Sequence, residues 1–198
     1  MQNTQTFNKY KELFLAKNSV LNLISKNDEK VLEKKHIFDS LSIKLFFDKY
    51  GTDFKTLLDV GTGGGFPALP IAIEYPTLQV TGIDSINKKI NAISDIAKDL
   101  NLNNFSTICD RVENIKDKKF DLITSRAVAK LDLIIKYALP LLNKKGYLIV
   151  YKSKLAEQEI QEATQTLKKY KAKVIDILEY KLPLEEIFER NLIIITHA

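Results

Sequence analysis

Leu57-Leu58-Asp59-Val60-Gly61-Thr62-Gly63-Gly64-Gly65-Phe66-Pro67 decides how the rest of the 198-residue chain is read. A short apolar run carrying one acid enters a turn with four glycines in five positions. Pro67 then supplies the fixed φ suited to the first position of a helix. Glycines allow positive φ and a close backbone approach to a ligand, while a helix start offers unpaired N–H groups. A strand–helix turn with no ligand would leave so many glycines without a purpose.

The sequence on either side has the matching periodicity. Residues 56–60, 79–83, 105–109, 120–124 and 147–151 are short apolar runs that read as buried strands. Residues 67–74, 86–100, a short piece near 112–115, and 131–142 read as helical. Alternation of this kind predicts a parallel sheet with helices on both faces, because right-handed crossovers place them there. Beyond Tyr151 the pattern predicts one long amphipathic helix over 155–170. Two strands, 173–182 and 192–197, then pair antiparallel at the end of the sheet. The expected α/β fold is a mostly parallel seven-stranded sheet closed by an antiparallel hairpin, the Rossmann-like layout of class I methyltransferases. Ahead of it, Phe7, Tyr10, Leu13 and Phe14 fall at helical spacing, and Asn27 and Asp28 are candidate N-caps for a helix over 29–38, with a further turn or two at 41–47. Residues 1–50 therefore read as a helical extension, too small to stand alone, packed on a main domain of residues 51–198.

Composition bounds the function. Apolar residues make up 45% of the chain and charged residues 28%, as in ordinary globular proteins. No apolar run approaches the roughly 20 residues needed to cross a bilayer, and the N-terminus lacks the features of a signal peptide. A single cysteine, Cys109, excludes an intrachain disulfide and a cysteine-based metal site, so a cytoplasmic protein without metal is expected. Cys109 ends an apolar run and reads as a small core residue. The net charge of +5 is uneven: +3 over residues 1–50, −2 over 51–100, +4 over 101–150 and zero beyond. A phosphate-binding face is one reading of that unevenness, and an ordinary solvated surface is the other.

Two cofactors compete for the glycine turn. Counted from Gly61, the dinucleotide pattern G-x-G-x-x-G requires glycine where Phe66 stands; counted from Gly63, the variant ending in alanine fits Gly63, Gly65 and Ala68. Asp84 ends the second strand and would take a ribose diol in either case. Asp59 favours S-adenosylmethionine, because a carboxylate beside the turn suits an ammonium and a sulfonium better than a pyrophosphate.

The acceptor is narrowed by what is missing. Methylation of exocyclic base nitrogens uses an Asn/Asp-Pro-Pro-aromatic turn after the fourth strand, where this chain has Ser125-Arg126-Ala127-Val128. Methylation at pyrimidine C5 needs a cysteine nucleophile, and Cys109 is badly placed for one. Guanine N7 carries an in-plane lone pair and loses no proton on methylation, so positioning and desolvation suffice. Arg126 is the candidate catalytic residue; it can bond an acceptor base, the cofactor carboxylate or a phosphate, or form an internal pair with Asp59 or Glu113.

Over nearly its whole length the sequence resembles the bacterial small-subunit ribosomal RNA guanine-N7 methyltransferases (RsmG, also called glucose-inhibited division protein B). The resemblance is carried by Asn18, Asn22-Leu23, His36-Ile37-Phe38-Asp39-Ser40-Leu41, the turn from Asp59 to Pro67, Asp84-Ser85, Lys88-Lys89, Arg111-Val112-Glu113, Ser125-Arg126-Ala127-Val128-Ala129 and Tyr151-Lys152. It implies methyl transfer from S-adenosylmethionine to N7 of one guanosine in 16S rRNA. It also implies cofactor contacts from Gly61, Phe66, Val112, Glu113 and Arg126, beside those expected of Asp59, Gly63, Gly65 and Asp84. Lys34, Lys35, His36, Lys88, Lys89, Lys130 and Lys152 would lie along RNA phosphates, with 16S rRNA or a small-subunit precursor as partner and the protein acting as a monomer. The chain departs from the family at Lys17, where tryptophan is usual, and at Ala68 and Ser153, where glycine is common. Alternatives are a methyltransferase of the same fold acting on a small molecule or protein, and an inactive RNA- or ribosome-binding module.

Overall fold

The computed structural model describes residues 3–186 and 188–198. Its sheet has seven strands in the order β3-β2-β1-β4-β5-β7-β6. They are β1 (Thr56–Val60), β2 (Gln79–Asp84), β3 (Phe105–Cys109), β4 (Phe120–Arg126), β5 (Leu142–Ser153), β6 (Ala172–Leu182) and β7 (Phe188–His197). β1 to β5 pair parallel, and β7 runs antiparallel to both β5 and β6. The chain steps outward from β1 to β3, then returns to lay β4 on the other side of β1. The carboxyl ends of β1 and β4 thus flank the switch point, where α/β sheets open a crevice.

Strand periodicity divides the core. Leu57, Leu122 and Ile149 face α4 (Lys44–Tyr50) and α5 (Ala68–Glu74), while Leu58, Ile123 and Leu148 face α7 (Leu131–Ala138), α8 (Ala156–Glu162) and α9 (Thr164–Lys169). A third cluster sets Phe7, Tyr10 and Phe14 of α1 (Thr4–Leu21) on Phe66, on Leu69 of α5 and on Ile93 of α6 (Asn87–Asp99). Asn18, fully buried, pins the end of α1: its Nδ2 donates to Glu29 Oε1 at 2.7 Å and its Oδ1 accepts from the Ile24 amide at 2.8 Å. The backbone N–H of Asn22, in the left-handed conformation, bonds back to the Asn18 carbonyl.

Several sequence expectations change. The cap after α1 is Ser25 rather than Asn27 or Asp28; its hydroxyl accepts from the Asp28 amide at 3.2 Å and starts the single turn α2 (Lys26–Glu29). The expected helix over 29–38 becomes a wider π-helical stretch, Leu32–Ile37, running into α3 (Phe38–Leu41). The helix expected over 155–170 is interrupted at buried Ala163 (φ −83°, ψ −1°), between α8 and α9, and the Thr164 hydroxyl bonds back to the carbonyls of Ile160 and Gln161. Pro67 precedes rather than opens α5. Cys109 is exposed, not in the core, because β3 is the sheet edge and only half covered.

Candidate active site

The glycine turn holds Gly61, Gly63 and Gly65 at φ of 69°, 55° and 88°, all in the left-handed region. The Thr62 amide donates to the Ile83 carbonyl at 2.9 Å and ties the turn to β2. Asp84 completes the tie: one carboxylate oxygen accepts from the Gly63 amide at 3.0 Å, the other from the Ile86 amide at 2.9 Å. A Cβ at Gly61 would lie 2.4 Å from Val128 Cγ2, so only glycine fits beneath that side chain. Gly65 serves packing instead, since a Cβ there would meet Leu69 Cδ1 at 2.7 Å and Ile93 Cγ2 at 3.2 Å.

Two cavities open at the carboxyl ends of β1, β2 and β4, and Gly61, Asp84 and Val128 line both. The first, about 320 Å³, has apolar walls from Ile83, Val112, Leu133 and Ile134, with Tyr137 and Glu113 also in its lining. The second, about 430 Å³, is lined by Thr62, Gly63, Phe66, His36, Lys89 and Arg126, with Asp28 also in its wall.

Arg126 ends β4 with a side chain only 11% exposed. Its Nη1 donates to Asp39 Oδ2 at 2.9 Å, its Nη2 lies 2.7 Å from His36 Nδ1, and its guanidinium sits 5.2 Å from the Phe66 ring centre. Because a guanidinium can only donate, His36 Nδ1 must accept and the imidazole carries its hydrogen on Nε2. Burial, with the Arg126 charge beside it, pushes His36 down to about 4, so the ring is neutral at physiological pH. Burial would raise Asp28, yet the Lys35 ammonium at 2.5 Å holds that carboxyl below its ordinary value.

The structure sets Gly61, Gly63, Phe66, Asp84, Val112, Glu113 and Arg126 in the lining of the two cavities. Asp59 and Gly65 line neither. Asp59 lies beneath the turn, fully buried, with Oδ1 accepting from the Thr124 hydroxyl at 2.8 Å. Burial pushes Asp59 up to about 7, against the opposing pull of Thr62, Thr124 and Arg126. The internal partner of Arg126 is Asp39, not Asp59 or Glu113. His36 is a buried neutral ring rather than a phosphate-facing cation. Lys152, 13% exposed, is turned inward, bonding Glu159 at 2.6 Å and the Ala129 carbonyl at 2.9 Å, because α8 covers the end of β5. Lys34 and Lys88 are exposed, Lys89 lines the second cavity, and Lys130 is 79% exposed beside Glu162. Asp28 and Asp39 were missed as site residues: Asp28 read only as a candidate helix cap, and Asp39 fell within the His36–Leu41 stretch of the family resemblance, which assigned it no role. Among the described residues no cluster is arranged to hold a metal ion, and no helix is long and apolar enough to cross a membrane.

S-adenosylmethionine fits this arrangement. An apolar slot suits a purine, a half-buried carboxylate at the junction suits a ribose diol, and Gly61, in the lining of both cavities, presents bare backbone where the two meet. Strand order and crevice together define a class I S-adenosylmethionine-dependent methyltransferase. The fold is shared, at a TM-score of 0.66 and 14% identity, with an S-adenosylmethionine-dependent methyltransferase from Clostridium acetobutylicum, over 86% of this chain and 96% of that one. It is also shared with TYW2 from M. jannaschii, determined in complex with AdoMet, at a TM-score of 0.62 and 15% identity, over 81% of this chain and 77% of that one. The family model for rRNA small subunit methyltransferase G (GidB) matches residues 3–192, and the chain belongs to that family. Relatives named ribosomal RNA small subunit methyltransferase G include one from Listeria monocytogenes, 37% identical over 96% of this chain and 81% of the relative. Another, from Staphylococcus epidermidis, is 37% identical over 98% and 83%.

Proposed function

We propose that this chain transfers the methyl group of S-adenosylmethionine to N7 of one guanosine in 16S rRNA. The cofactor supplies an electrophilic methyl on a sulfonium. Asp84 accepts hydrogen bonds from the ribose hydroxyls, and the slot lined by Val112 and Ile134 takes the adenine, with Glu113 at its rim. Arg126 keeps N–H donors beyond those given to Asp39 and His36, and directs them at the acceptor base or its phosphate.

The observation that carries the reading is that, among the described residues, the imidazole and the carboxylates lining the second cavity are already engaged. His36 gives its Nδ1 lone pair to Arg126, Asp28 is tied to Lys35, and Asp84 accepts two backbone amides. An acceptor that must lose a proton, such as an amine or hydroxyl, would find no ready partner there. Guanine N7 loses none, so in-line positioning and exclusion of water are the whole task. Exposed Lys34 and Lys88, with Lys89 at the cavity, offer phosphate contacts that position the RNA without specifying it. Incubation with methyl-labelled S-adenosylmethionine and 16S rRNA, then nuclease digestion, is expected to yield label in a single 7-methylguanosine. Label in another base, or in protein alone, would overturn the assignment.

A further inference from the structure

Asp39 belongs to α3 in the helical segment ahead of the sheet, yet its carboxylate is held by side chains of the sheet strands. The residue is 2% exposed. Oδ2 accepts from Arg126 Nη1 at 2.9 Å and Arg190 Nη2 at 3.2 Å; Oδ1 accepts from the Tyr180 hydroxyl at 2.6 Å and Arg190 Nε at 3.2 Å. One carboxylate therefore joins β4, β6 and β7. Tyr180 and Arg190 also line a third cavity, of about 610 Å³.

A purely structural clip explains this poorly, because a buried ion cluster of this kind is seldom more stable than well-packed apolar residues in its place. The chemistry of Arg126 explains it better. Methyl transfer to a purine nitrogen moves positive charge from the sulfonium onto the base, and an unpaired guanidinium beside that base would oppose the change. Asp39, whose single charge is shared between Arg126 and Arg190, offsets part of the Arg126 charge while leaving some of its donors free, and Phe66 beneath the guanidinium with His36 at Nη2 fixes its plane. Burial would lower Arg190, but the Asp39 carboxylate raises it, and Tyr180 is pushed far above its ordinary value by burial and by Asp39.

Resting on the function proposed above, we propose that Asp39 is a positioning residue for methyl transfer: it holds Arg126 at the acceptor cavity and offsets part of its charge, and through Tyr180 and Arg190 it makes that hold depend on the C-terminal hairpin. Methyl transfer to 16S rRNA is measured for Asp39→Asn, Tyr180→Phe, Arg126→Ala and the double variant Asp39→Asn/Arg126→Ala, with calorimetric affinity for S-adenosylhomocysteine alongside. Asp39→Asn is expected to lower kcat by about 10- to 100-fold with cofactor affinity held within about 3-fold. On the Arg126→Ala background the same change is expected to cost almost nothing further, because its target is gone. Tyr180→Phe removes one bond to the carboxylate while keeping the ring, and is expected to lower kcat by about 3-fold or more, so the test survives a misfolded Asp39 variant. Unchanged kcat in Asp39→Asn or Tyr180→Phe, or fully additive losses in the double variant, would overturn the proposal. Transfer by the wild type, run in parallel, tests the function reading separately.

Discussion

Replacing Asp59 by asparagine separates the structural role of this acid from a cofactor-binding one. The carboxyl is fully buried and rises from 3.8 to about 7 on folding, so the folded state binds a proton that the unfolded chain has released. Its contribution is fully present below about pH 4 and is lost as pH rises through 7. A shift of this size is worth about 4 kcal/mol in full, of which about 3 kcal/mol remains at pH 5 and almost none at pH 8. Asparagine keeps an acceptor for the Thr124 hydroxyl, and its extra donor adds a cost that does not change with pH. Urea denaturation at pH 5, 6, 7 and 8, followed by far-ultraviolet circular dichroism since the chain has no tryptophan, gives the stability of both proteins. The stability difference, variant minus wild type, is expected to shift in favour of Asp59→Asn by about 2–3 kcal/mol between pH 5 and pH 8. Parallel pH profiles, with the difference constant to about 0.5 kcal/mol, would refute the buried-acid account.

Arg126→Ala is expected to cost at least about 100-fold in methyl transfer while the protein stays folded, because Asp39 keeps Arg190 and Tyr180 as partners; near-wild-type turnover would remove Arg126 from the site. His36 is expected to titrate near 4 by NMR; since folding lowers its pKa, its stabilising share is complete above about pH 6.5 and fades as pH falls toward 4. A midpoint near 6.5 would instead mean an exposed ring. Lys34→Ala is expected to reduce the salt slope of RNA binding by about one unit, and Lys35→Ala by less, because Lys35 already pairs with Asp28. Equal slopes in wild type and both variants would take this stretch off the RNA face.

Fold and site were legible to different depths. The strands announced themselves because a doubly covered parallel sheet needs continuous apolar runs, and Leu57-Leu58 and Leu122-Ile123 each feed two cores at once. The terminal hairpin followed from a short proline-led connection between two apolar runs. Cys109 misled because the same kind of run at a sheet edge is only half covered. The break at Ala163 was hidden because alanine suits a helix interior and periodicity carries across a one-residue interruption. In the site, glycine spacing indicated the turn, but spacing says nothing of depth: Gly61 and Gly63 face the cavities while Asp59 and Gly65 lie against the core. Asp39 and the inward turn of Lys152 rest on contacts between residues far apart in sequence, Asp39 with Arg190 and Lys152 with the Ala129 carbonyl. No local pattern encodes such pairs.

Whether a sulfonium nucleoside lies across Gly61, with its ribose on Asp84, is tested most directly by calorimetric titration of S-adenosylhomocysteine into wild type and Asp84→Ala. One site per chain in the wild type, weakened about 10-fold or more in the variant, is the expected result. No heat in correctly folded wild type, or equal affinity in both proteins, would contradict the placement.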